Sequence, residues 1–164
     1  PCTGVTCNAP VPTEMLVAIN EQILQDELRV STVTQNVSKI SSYAFVREVV
    51  NETLRNLPSV SGIVMDGRDI GTEVFPNAQL KIFLTASVEE RAKRRKLEEQ
   101  NKGSEVELAD LIKAIAERDK LDSERELAPL KLAEDAILID TTFLTFEHVI
   151  EKVISLWHFI EKHS

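Results

Sequence analysis

A chain of 164 residues, 43% apolar and 28% charged, has the size and composition of about one globular domain with a core to bury. Its formal net charge of −8 argues against general binding to a nucleic-acid backbone, which needs a basic surface, yet permits a small anion held by local arginines. Cys2 and Cys7 are the only cysteines and no His/Cys cluster has zinc spacing, so free thiols, a reducing cytoplasmic location and no metal ligand set are expected. No apolar run reaches the roughly 18 residues of a membrane helix, and the first residues, which begin with Pro1, do not read as a secretory leader.

In chain order, residues 1–19 predict a β-hairpin, with strands over 5–8 and 15–19 separated by the breakers Pro10 and Pro12. Residues 21–37 are mixed and polar, with Leu24, Leu28 and Val33 as anchors. Residues 38–55 predict one helix, because Val46, Val49, Val50, Thr53 and Leu54 recur at spacings of three and four. Pro58 and Gly62 close that segment. The apolar run 63–65 then predicts a short buried parallel strand.

Phe75-Pro76-Asn77 reads as a turn, and residues 80–84 as a second short strand. Ser87, with Glu90 three residues on, forms a capping box opening a helix to about residue 100, which Gly103 ends. A further helix is expected over 105–124, with Leu108, Leu111, Ile112 and Ile115 on its inner face. Residues 136–139 predict a third strand. A last helix over 145–162 carries Phe146, Val149, Ile150, Val153, Ile154 and Trp157 as a stripe that should cover a sheet face, with Trp157 in the core. Strands alternating with helices imply α/β architecture with a parallel sheet and right-handed crossovers.

The chemistry concentrates where the run 63–65 enters Asp66-Gly67-Arg68-Asp69-Ile70-Gly71-Thr72. Ligands of open α/β sheets sit beyond the carboxyl ends of the strands, so Asp66, Arg68 and Asp69 would line a pocket floor, with Gly67 and Gly71 permitting close backbone approach. A strand-end turn with solvated charges is the plain alternative. Arg91, Arg94 and Arg95 share one helix face, either as an anion array or as a solvated face paired with Glu90, Glu98 and Glu99. Arg118, Asp122 and Arg125 also share a face. There Asp122 can orient a guanidinium and accept a sugar hydroxyl, while the planar arginine forks suit phosphate; an ion-paired surface helix is the alternative. Arg47 adds a further guanidinium. His148, His158 and His163 fall on the last helix and read as surface or packing residues.

Taken together, Thr34-Gln35-Asn36-Val37-Ser38-Lys39-Ile40, Val46-Arg47-Glu48, Met65-Asp66-Gly67-Arg68-Asp69-Ile70-Gly71-Thr72, Glu90-Arg91-Ala92-Lys93-Arg94-Arg95, Arg118-Asp119, Asp122-Ser123, Arg125-Glu126, Ala128-Pro129-Leu130 and Ile139-Asp140-Thr141-Thr142 resemble the bacterial-type cytidylate kinase family. The likeness runs from about residue 20 to the C-terminus, in one order. It implies a P-loop nucleoside monophosphate kinase-like parallel sheet flanked by helices, lacking its first strands. Residues 1–60 would be a small CMP-binding insert, and 61–164 the rest of the core with an arginine-rich lid over about 87–125. It also implies transfer of the ATP γ-phosphoryl group, with Mg2+, to CMP or dCMP. The partners implied are small molecules, with no nucleic acid and no membrane, and the complete enzyme is expected as a monomer.

By the same resemblance, Ser38, Arg47 and Asp69 read the cytosine edge, and Arg68 and Arg125 clamp the acceptor phosphate. Arg118 and Asp122 contact the sugar. Arg91, Arg94 and Arg95 close over the transferred group, and Asp66 positions phosphate or magnesium-bound water. The family's phosphate loop, G-x-x-x-x-G-K-[ST], does not occur in these residues. The chain therefore looks N-terminally incomplete, starting about where the CMP-binding insert starts, with an unfilled slot expected between the strands at 63–65 and 80–84. Two functions follow: a kinase that is incomplete as it stands, or a non-catalytic CMP-binding or interaction protein on that scaffold.

Overall fold

A computed structural model describes residues 17–19, 22–24, 31–56 and 62–163, and it separates the chain into two compact units, 1–40 and 41–164. In the first unit Val17–Ile19 (β1) pairs antiparallel with Gln22–Leu24 (β2), Ile19 opposite Gln22. A hairpin therefore forms, but its second strand lies in the stretch read as polar connection. The expected strand at 5–8 and the anchor Leu28 lie outside the described residues. Ser31–Ile40 (α1) completes this unit, with Val33, Val37 and Ile40 exposed.

The single helix expected over 38–55 is two helices, α1 and Ala44–Arg55 (α2), broken at Ser41-Ser42-Tyr43. Serine hydroxyls compete for backbone groups and favour helix ends over interiors. No residue of α2 is buried, and Val49 and Val50 are half exposed. Arg55, at its end, donates from Nε to the Val74 carbonyl at 3.0 Å and from Nη2 to the Glu73 carbonyl at 2.5 Å. Those carbonyls belong to a π-helical turn, Ile70–Val74, closed by Phe75 N–H to the Ile70 carbonyl at 2.7 Å. Such turns are rare and concentrate at functional sites. Nothing in the apolar pattern announces this one.

The parallel sheet has two strands among the described residues, Ile82–Thr85 (β3) and Ile137–Asp140 (β4), with Ile82 opposite Ile137 and Thr85 opposite Asp140. These match the expected second and third strands. The expected strand at 63–65 does not form: Val64 is fully exposed and Ile63 substantially so. A strand exists only through its ladder, and no described segment pairs with this one.

Between β3 and β4, Val88–Asn101 (α3) and Leu108–Glu124 (α4) pack on each other. The Ser87 hydroxyl accepts from Glu90 N–H at 3.2 Å, one half of the expected capping box; the other half is replaced, since Ser87 N–H goes to Thr142 and the Glu90 carboxylate to Arg94. At the far end Gly103 takes φ +77, and the N–H groups of Gly103 and Ser104 return to the carbonyls of Gln100 and Glu99. This is the left-handed glycine stop the sequence calls for. The ends of the two strands are tied together as well: the Thr141 hydroxyl donates to the Thr85 carbonyl at 3.0 Å, and Ser87 N–H donates to the Thr142 hydroxyl at 2.9 Å.

Phe146–His163 (α5) follows, and its apolar stripe is not covered as expected: Phe146, Ile150 and Ile154 are exposed and Trp157 keeps 43% of its surface in solvent. An open groove of about 810 Å³ runs between β4 and α5, lined by Leu138, His148, Leu156 and Phe159 among others. Of the described apolar residues only Val74, Ala86, Ala92 and Ile139 are buried, so the sizeable core expected from length is not closed by these elements alone.

One buried cation braces the π-turn against the sheet. Lys81 donates to the Asp135 carboxylate at 2.7 and 2.8 Å and to the Pro76 carbonyl, and its stem passes beside Gly71. The Lys81 hydrogen bond, ahead of smaller effects, holds the Asp135 carboxyl below the ordinary aspartate value of 3.8. A depressed acid stabilises the fold above its unfolded pKa, and that stability is lost as pH falls through the folded value. Asp135→Asn should therefore flatten the acid limb of the stability curve below roughly pH 4, read by urea midpoints against pH. An unchanged limb would show the pair to be electrostatically idle. Ser87→Ala should cost about 1 kcal/mol in the same assay.

Candidate functional site

Asp122 is the hub of the site. It lies in the last turn of α4, is 5% exposed, and was visible in the sequence as the acid four residues after Arg118 and three before Arg125. Its Oδ2 accepts from Arg68 Nε at 2.9 Å, across 54 residues of sequence. Arg118 Nε stands 3.8 Å from the same oxygen, and Arg125 Nη1 stands 4.0 Å from Oδ1. Asp69 is a second acceptor: its Oδ2 takes Arg47 Nη2, and its Oδ1 lies 3.6 Å from Arg125 Nη2. Arg47, Arg68, Asp69, Arg118, Asp122 and Arg125 thus form one cluster, contributed by α2, the segment before the π-turn, α4 and the loop after it.

Four guanidinium groups against two carboxylates leave a surplus of two positive charges in this cluster. Arg47, Asp69 and Arg125 are largely shielded from solvent, which weakens screening and favours an anionic occupant. Arg125 Nη2 makes the point locally, since it is buried without a hydrogen-bond partner. Such a donor costs free energy unless a ligand or water satisfies it.

The local backbone explains the convergence. Gly67 leaves space that a Cβ would close, because that atom would lie 2.7 Å from the Ile70 side chain. The chain can therefore bend closely between Asp66 and the π-turn, where Arg68 and Asp69 lie. Gly71 is less constrained, as a Cβ there would meet Lys81 only at 3.4 Å. Asp66 is exposed and is not part of the ion-paired cluster.

The lid candidates stand apart from the cluster in pairs of their own. Arg91 is bidentate to Asp119 at 2.8 and 2.6 Å and donates from Nε to the Ala86 carbonyl at 3.0 Å, the Asp119 bond holding its guanidinium pKa above the usual value. Arg94 bonds Glu90 at 2.9 Å and the Thr141 carbonyl at 2.6 Å. Arg95 pairs with Glu98 and Glu99 on the exposed side of α3. The side chain of Ser38 lies outside the described residues. Asp119 and Thr141, which anchor Arg91 and Arg94, were not singled out by residue chemistry; an acid three positions before Asp122 was the available signal for the first.

No three His, Cys, Asp or Glu residues among those described could together hold a metal ion, and the two inward carboxylates are engaged by arginines. Among the described residues the donor set does not fit a protein-held magnesium ion. No helix among the described residues is long and apolar enough to cross a membrane.

Comparison with known proteins adds a family. The cytidylate kinase family model matches residues 6–159. A cytidylate kinase of Acholeplasma laidlawii is 47% identical over 140 residues, covering 85% of this chain and 63% of the relative. A cytidylate kinase of Bacillus cereus is 50% identical over 141 residues, covering 86% and 63%, and one of Bacillus thuringiensis is 49% identical over the same length. The chain thus spans about 63% of the length of these curated relatives.

Removing the hub tests the cluster. Asp122→Ala should cost about 2 kcal/mol by urea unfolding, a figure moderated by the half-exposed Arg68 and Arg118. Asp122→Asn, which keeps an acceptor oxygen, should cost less. Equal losses for the two would mean that the acceptor oxygen kept by asparagine contributes nothing and the carboxylate charge carries the effect.

Proposed function

The chain belongs to the cytidylate kinase family, and on that footing we propose that its arginine–aspartate cluster is the acceptor-nucleotide site of an ATP-dependent CMP/dCMP kinase. The observation that carries the reading is the buried Nη2 of Arg125, which makes no hydrogen bond, within a cluster of surplus positive charge. An anion of phosphate size satisfies both features. Arg125 and Arg68 present planar forks to the acceptor phosphate, while Arg118 and Asp122 sit where a sugar hydroxyl can be held.

Base choice falls to Arg47 and Asp69, with Ser38 as the third member expected from the family. Arg47 and Asp69 pair with each other in the ligand-free chain, so a donor and an acceptor already lie side by side. Cytosine offers an amino donor next to a ring-nitrogen acceptor, and uracil reverses that order. Leaving these shielded partners unmatched is what rejects uracil. By the family resemblance the CMP-binding insert is residues 1–60. Compactness alone divides the chain differently, at 40/41.

Transfer to a phosphate oxygen needs alignment, charge neutralisation and exclusion of water more than covalent help. Arg68 and Arg125 align the attacking oxygen. Arg91, Arg94 and Arg95 neutralise the transferred group once they leave Asp119, Thr141 and Glu98/Glu99, and Asp66, exposed beside Gly67, is the residue expected from the family to position phosphate or magnesium-bound water. ATP supplies the phosphoryl group together with magnesium. The loop that grips its β and γ phosphates has no counterpart motif in these 164 residues. The chain spans about 63% of its curated relatives, so the kinase reading is that of the family enzyme, with a non-catalytic CMP-binding protein as the alternative.

Thermal shift separates the possibilities. CMP at about a hundred times its Kd should stabilise the chain by roughly 2.7 kcal/mol, and UMP at equal concentration by clearly less. Equal shifts would defeat the base-reading assignment. A coupled assay with ATP, magnesium and CMP should give no turnover above background, whereas ready turnover would show that the donor site is complete after all.

A further inference from the structure

Residues 125–130 form a strained loop whose geometry has no role in the assignments above. α4 stops at Glu124, and Arg125 turns extended, φ −63 and ψ 141. Three residues on, Ala128 has φ 49, in the left-handed region, the one non-glycine residue to do so among those described. An L-alanine is disfavoured there by its Cβ. Pro129 adds a second restriction, because a residue before proline is pushed towards extended backbone. The loop is nevertheless held closed at two points. Leu130 N–H donates to the Asp122 carbonyl at 2.7 Å, and Arg125 Nε donates to the Ala128 carbonyl at 2.5 Å.

The second of these bonds has a directional consequence. Arg125 spends Nε on the backbone oxygen of Ala128, which fixes the plane of its guanidinium. The remaining edge, Nη1 and Nη2, is turned towards Asp122 and Asp69 at 4.0 and 3.6 Å, too far for good hydrogen bonds. Nη2 is left buried and unsatisfied. A free arginine would swing to pair with Asp69 or Asp122 properly. The bond to the strained carbonyl opposes that and keeps Nη2 without a hydrogen bond and Nη1 only loosely paired, an edge that oxygens of a phosphate monoester can take. Strain retained beside an unsatisfied donor is how pre-organised sites are built.

We infer that Ala128 is a positioning residue: its backbone, held at positive φ, aims Arg125 at the phosphate of the bound mononucleotide. This rests on the acceptor-site reading, and the experiment separates the two. Calorimetry compares CMP with cytidine, which lacks the phosphate, on the 164-residue chain, on Ala128→Val and on Ala128→Gly. Valine's branched Cβ cannot hold φ 49, whereas glycine can. Ala128→Val should weaken CMP roughly tenfold, the loss of about one charge-assisted bond, and leave cytidine within about twofold. Ala128→Gly should restore most of the CMP affinity lost in Ala128→Val.

Equal weakening of CMP and cytidine, or no weakening of CMP, overturns the inference. If the unaltered chain binds CMP no better than cytidine, the acceptor-site reading fails, and this inference with it. A measurement on the unaltered chain covers the case in which Ala128→Val does not fold. The Arg125 Nε–H should exchange with solvent far more slowly than that of Arg118, which is half exposed and whose Nε stands 3.8 Å from Asp122. Matching rates would remove the Ala128 bond and the proposal together.

Discussion

The carboxylate of Asp122 is the constraint from which the rest of the larger unit's chemistry follows. It is buried in the last turn of α4, and its ion pair with Arg68 joins the segment after residue 65 to that helix. Without a charged partner such a burial is costly, and without the aspartate three guanidinium groups repel one another. The same residue fixes the loop beyond α4 through its backbone carbonyl. One amino acid therefore sets both the direction in which the chain leaves the helix and the place where positive charge accumulates.

Around that hub the scaffold is built from short-range devices. A serine cap and a left-handed glycine delimit α3, two threonines tie β4 to β3 and α3, and Lys81 braces the π-turn. These fasten the polypeptide where side chains of chemical interest leave it. They do so without a large apolar core, since few of the described apolar residues are buried. Polar fastening carries an unusual share of the local order here.

What could be read in advance divides along the same line. The boundaries of α3, the existence of α4, β3, β4 and α5, and the arginine–aspartate spacing on α4 rest on signals within a few residues of each other, and all were legible. The segment 63–65 was misread because apolar character permits a strand but only a neighbour makes one, and Val64 has none among the described residues. Trp157 was misread for the same reason: a helical stripe predicts a buried face only when something covers it. The helix break at Ser41-Ser42-Tyr43 was available in the serines but masked by the valine periodicity that follows. Within the site, residue chemistry suggested Arg47, Arg68, Asp69, Arg118, Asp122 and Arg125, and family likeness supplied the role of each. The π-turn and the backbone of Ala128 left no trace in composition or spacing, because both depend on bonds that close only in three dimensions.

The unpaired state of residues 63–65 has a colloidal consequence. Ile63 and Val64 are exposed outside any ladder, and among the described residues each strand of the two-stranded parallel sheet is an edge. Free N–H and C=O groups flanked by aliphatic side chains are templates for another chain's backbone. At high concentration the isolated polypeptide is disposed to associate through these edges, and a charge placed at Val64 would act as a gatekeeper against it.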